Sequence, residues 1–130
     1  MESEDMRLVN LIEYANSKRG AKAYFREDWG CYYFDLQGKQ FGLIGNKNDR
    51  YVLTVKGIPE ENEMLRTMYR DVSAGYYANK KHWNSINLET DELSDNELKR
   101  MIDISYQLVF EKLPKKVQSS LNEEHQQNVD

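Results

Sequence analysis

Between Tyr32 and Lys56 the chain alternates polar and apolar residues and reverses direction twice within a few positions. Tyr32, Phe34 and Leu36 alternate with Tyr33, Asp35 and Gln37, the period of two expected of a half-buried strand. Gly38-Lys39 turns the chain into residues 40–44, and Asn46-Lys47-Asn48-Asp49 turns it again into residues 51–56. Connections this short leave no room for a crossover, so neighbouring strands must run antiparallel as a meander. Ala23-Tyr24-Phe25-Arg26 reads as one more short strand before it.

Helical signals flank this meander. Ser3 can cap a helix whose Leu8, Leu11, Ile12 and Ala15 recur at helical spacing, with Glu4 and Asp5 at its positive end and Gly20 as its stop. Gly57-Ile58-Pro59 ends the strands and opens a second helix over 59–70, with Glu60, Glu61 and Glu63 in its first turn. Met64, Leu65, Met68 and Tyr69 form its apolar stripe. Residues 83–88 alternate as another strand. Ser94-Asp95-Asn96-Glu97 is a capping box that opens a third helix over 95–112, and Pro114 stops it. The expected order is helix, three or four strands, helix, strand, helix. That is an α+β fold of two layers, a mostly antiparallel sheet covered on one face by helices. One domain spans residues 1–116, and 117–130 read as a short helical turn fading into a polar, partly disordered tail.

Composition narrows the function classes. At 130 residues the chain makes one domain, and no apolar run approaches the ~18 residues a bilayer span needs. A single cysteine, Cys31, excludes an internal disulfide, and the acidic N-terminus lacks the regions of a signal peptide, so a cytoplasmic protein with no membrane partner is expected. One cysteine and two distant histidines offer no metal site, and no Gly-rich phosphate cradle is present. No cofactor is expected. Ser105-Tyr106 lacks the elbow and partners of a nucleophile, so no catalytic residue and no enzyme is expected. The net charge is −4, with 9 basic against 8 acidic residues up to position 57 and 9 against 14 beyond it. Any contact with nucleic acid therefore needs a local basic patch.

Such a patch has one candidate centre. Gly75-Tyr76-Tyr77-Ala78-Asn79-Lys80-Lys81-His82-Trp83-Asn84 crowds aromatic, basic and amide side chains into one loop at the mouth of a strand. Lys80 and Lys81 suit phosphates, Asn79 and His82 suit sugar or base edges, and Trp83, Tyr76 or Tyr77 suit stacking on unpaired bases. Trp83 has a second reading as a core residue, since it begins a strand in phase with Ser85 and Asn87. Lys56, Lys112, Lys115 and Lys116 join the patch if the fold brings them beside the loop. The last three also complement the negative end of the third helix.

Gly38-Lys39-Gln40-Phe41, Lys56, Pro59-Glu60, the Gly75-Tyr76 to Trp83 loop, Ser105-Tyr106-Gln107-Leu108-Val109 and Lys112-Leu113-Pro114-Lys115-Lys116 occur in this order across about residues 5–116. Together they resemble the MmcQ/YjbR family. The resemblance implies a secretion-chaperone-like α/β fold and a DNA-binding role in which projecting β elements act as wings. Binding to DNA through these residues would be weak and sequence-tolerant. The alternative is a protein- or peptide-binding module of the same fold, which the acidic total charge and abundant tyrosine favour.

Overall fold

The computed structural model describes residues 3–75 and 79–127. Its elements are α1 (Ser3–Asn16), β1 (Ala21–Arg26), β2 (Cys31–Leu36), β3 (Lys39–Lys47), β4 (Arg50–Lys56), α2 (Pro59–Met68), β5 (Val72–Ala74), β6 (Trp83–Asn87), α3 (Asp95–Phe110) and α4 (Lys115–Gln127). The six strands form one sheet in the order β1-β2-β3-β4-β6-β5, and every pairing is antiparallel. The expected two-layer α+β arrangement is the observed one.

Three elements differ from the sequence reading. Val72–Ala74 is a strand, too short for an alternating pattern, that pairs with β6. The stretch expected to be a short turn and tail holds the helix Lys115–Gln127, whose Leu121 is buried against Gly20. The second helix ends at Met68, and half of its expected apolar stripe is in water: Met64 and Met68 are each 58% exposed, while Leu65, Tyr69 and the polar Asn62 turn inward. Tyr76, Tyr77 and Ala78 of the aromatic loop lie outside the described residues.

The core lies between one face of the sheet and helices α1, α3 and α4. Phe34, Leu36, Phe41, Ile44, Leu53 and Ile86 meet Leu11, Leu98 and Ile102 there, each with no exposed surface. A bulge where β2 meets β3 turns both Phe41 and Gly42 to this side. The β3–β4 ladder ends at Gly42 and Val55. Beyond that point Ser105 of α3 bridges the two strands: its hydroxyl donates to the Phe41 carbonyl (2.6 Å) and accepts from the Lys56 amide (2.9 Å). Polar ties fasten the helices. Arg7 donates to Asp95 (2.6 Å) and to the Leu88 and Thr90 carbonyls, and Tyr14 and Lys18 both donate to Asp103 (2.6 Å each). The Ser94–Glu97 capping box opens α3 as its sequence indicates.

Candidate functional site

Side chains of directly paired residues share a face, so the register identifies what the uncovered side carries. Its strand positions include the aromatics Tyr24, Tyr33 and Trp83, the apolar Leu43 and Val52, and the cations Lys22, Arg26, Lys47, Arg50 and Lys56. Asp35 is the acidic residue among those strand positions. Basic residues thus outnumber acidic ones among the strand positions of this side, in a chain of net charge −4, although Arg26 and Arg50 are each paired with a carboxylate.

A groove of about 540 Å³ crosses this face, with Trp29 and Trp83 on its walls and Cys31, Leu43, Gly45 and Thr54 on its floor. These are the two tryptophans of the chain. Trp29 reaches the face from the β1–β2 turn, where Gly30, at φ 64°, returns its N–H to the Arg26 carbonyl. The indole stands edge-on to Tyr33 at 5.4 Å, and the Arg26 guanidinium lies 4.0 Å over its ring. Arg26 is held by Asp28 at 2.7 Å, and this bond raises the guanidinium pKa and keeps the Asp28 carboxyl below the usual carboxylate range. Burial pushes both the Tyr33 phenol and the Cys31 thiol upward, so each stays neutral near pH 7. A second depression, about 440 Å³, adjoins the groove at Lys47 and Val52 and is lined by Arg50, Arg70, Asp71 and Asn87. Arg50 pairs there with Glu89 at 3.1 Å.

The 79–83 loop stands at the end of this face. The Asn79 side chain accepts from the Lys81 amide (2.9 Å), and its carbonyl accepts from the His82 and Trp83 amides. Asn79 is thereby occupied in shaping the turn. Lys80 and Lys81 point into water. The Gly57 amide donates to the His82 carbonyl (2.8 Å), and Lys56 stands across from Trp83, so Lys56 and the loop share one corner. Asn62 of α2 locks that corner by donating to the Lys81 carbonyl (3.1 Å). Lys112, Lys115 and Lys116 are exposed but follow the end of α3, in the helix layer, so the fold does not bring them to the open face. Trp83 is half-buried on the groove wall and lies outside the core cluster, so its reading as a core residue does not hold.

The sequence reading missed Trp29, Arg26, Leu43, Gly45 and Asn62. The outward phase of β2 and β3 and the expected one-sided helix layer pointed to this face, but no pattern in the sequence places Trp29 and Arg26 on it. Asn62 is a polar residue in a helix whose apolar signal comes from its methionines and leucine. Among the described residues no group of three or more His, Cys, Asp or Glu is placed to hold a metal ion, and no helix is long and apolar enough to cross a membrane.

The YjbR family profile matches residues 17–108. The Escherichia coli K12 protein YjbR is 28% identical over 109 residues, covering 84% of this chain and 92% of that one. Among solved structures, Deinococcus radiodurans protein DR2400 superposes with a TM-score of 0.79 at 24% identity, over 88% of this chain and 87% of its own. A Pseudomonas syringae protein gives 0.62 at 24% identity, over 83% and 98%. At that identity the two structures establish the fold.

Proposed function

The chain belongs to the YjbR family, and we propose that it binds DNA, weakly and with little regard for sequence, through the corner where Lys56, Lys80, Lys81 and Trp83 meet. The observation that carries this reading is the local reversal of charge: strand cations stand out on the open face of an acidic chain, with two exposed lysines at its end. Lysine ammonium groups suit phosphates, whereas among the described residues no helix presents base-reading side chains in a way that would enter a groove. Contacts of this kind release counterions, so affinity falls steeply with salt.

A labelled 20-base-pair duplex titrated at low salt and again at 200 mM tests this reading by anisotropy. Replacing Lys80 and Lys81 together by Ala should weaken binding equally for unrelated sequences and flatten the salt slope by roughly two units, one per phosphate contact. Unchanged binding by the double variant would remove the proposed site. A protein-binding role has one specific observation in its favour, the exposed Ile58, Met64 and Met68 on and beside α2. If no DNA is bound even at low salt, that role becomes the better reading.

A further inference from the structure

Resting on the DNA reading, we infer that the form taken up is an unpaired strand, lying across the helix-free face with one base on Trp29 and another on Trp83. Both tryptophans of the chain wall one groove, on the side of the sheet that no helix among the described residues covers. Trp29 is 52% exposed and Tyr24, which like it contacts Tyr33, 45%, so ring surface that folding has left in water is available to a planar ligand. Cys31, Gly45, Val52 and Asn87 form one row across β2, β3, β4 and β6, and Trp83 lies four residues along from Asn87. From the Cys31 end to Trp83 the diagonal is therefore roughly 20 Å, from about 3.3 Å per residue and about 4.8 Å per strand. That span exceeds one base and suits a short stretch of strand.

The chemistry along the diagonal is that of a single-strand platform: stacking rings on an apolar floor, with cations beside it. Leu43, Val52 and the bare backbone of Gly45 make the floor, and Lys47 and Arg50 border it on the second depression. A rigid duplex, whose bases are already stacked on one another, would offer this groove no ring. Arg50 is held by Glu89, so the exposed Lys80 and Lys81 at the Trp83 end are what select an anionic occupant, and the two indoles select one that carries planar bases.

Gly45 provides a clean probe. A Cβ there would sit 3.8 Å from Leu43 and 3.9 Å from Cys31, ordinary contact distances, and its φ is not in the left-handed range. Gly45→Leu should thus fill the groove floor without disturbing the core. The experiment titrates the full chain at low salt with unlabelled dT12, with the dT12·dA12 duplex and with polyphosphate of equal charge, reading tryptophan emission and affinity. The expected result is that dT12 quenches emission and binds at least tenfold tighter than the duplex. Gly45→Leu, Trp29→Ala and Trp83→Ala should each weaken dT12 binding by roughly tenfold or more. Unchanged denaturation midpoints would establish that the variants are folded. Duplex binding at least as tight as dT12, with emission unchanged and sensitivity to the Lys80/Lys81 replacement, would overturn the unpaired-strand inference and leave the DNA reading standing. Equal quenching by polyphosphate would also overturn it, because charge alone would then suffice. Absence of binding to every nucleic acid would overturn both.

Discussion

On the helix-covered side of the sheet, Phe34, Phe41, Leu53 and Ile86 are sealed from water. On the opposite side of the same sheet, Leu43, Val52 and Trp83 stay half-buried beside lysines and arginines. The same six strands build both sides, and only the partner layer differs. The first side gains its stability from apolar area removed from water and from close packing. The second is ordered by ring and cation contacts, such as Arg26 over Trp29, that are individually small and leave much of each ring wet. Surface left wet in this way contributes little to folding and remains available to a ligand. Alternation in a strand therefore marks two faces, and only packing decides which of them is core.

The sharpest way to break that contrast is to truncate one aromatic from each side. Phe34→Ala should cost about 3–5 kcal/mol in denaturant unfolding, because it opens a cavity in a region with no exposed surface. Trp83→Ala removes a larger side chain, yet it should cost no more than about half as much, since part of its area is already in water. Equal losses would mean that Trp83 belongs energetically to the core, and the open face would lose its claim to be a platform.

The sequence made the covered side easy to read and the open side hard. Tyr32, Phe34 and Leu36 announce β2 by period, and Ser94 with Glu97 announces α3 by its cap. Those signals are local, and the structure keeps them. Trp29 becomes part of the site only because the turn closed by Gly30 folds it over Tyr33, a placement set by tertiary geometry. The basic residues show the same limit. Lys56 and Lys80 are brought to one corner by the β4–β6 pairing, whereas Lys112 and Lys116, equally basic in the sequence, are carried into the helix layer. The last helix was missed because only a few apolar residues mark it, and Leu121 settles in the space over Gly20 that the sequence does not reveal.

Two glycines on β3 refine the comparison within a single strand. A Cβ on Gly42, on the covered side, would lie 2.8 Å from a Phe34 ring carbon and 3.1 Å from the Thr54 carbonyl oxygen. Gly42→Ala should therefore destabilise by about 1–3 kcal/mol, the usual range for overpacking a core. On the open side, Gly45→Ala meets only ordinary contacts and should change stability by no more than about 0.5 kcal/mol. Urea midpoints of the two variants check this directly, and a reversed order would contradict the assignment of the faces.

A further contrast concerns how the helix layer is fastened. Tyr14 of α1 donates to Asp103 of α3 (2.6 Å), and its phenol is pushed from 10.0 up to about 12, first by burial and then by the Asp103 carboxylate that accepts its proton. A folded-state pKa above the unfolded one means that the neutral phenol is favoured by folding. Its contribution is complete below pH 10 and is lost as the pH rises through about 12, where the phenolate would face Asp103. Tyr14→Phe should then cost roughly 0.5–1 kcal/mol near pH 8, the worth of a partly exposed hydrogen bond. The gap between parent and variant should close as the pH climbs from 10 toward 12. Denaturation midpoints of the pair across that range measure it. A gap that stays constant with pH would show that the ring's packing, and not its hydrogen bond, holds α1 to α3. The Tyr14 hydrogen bond at Asp103 would then be incidental to how α1 is held.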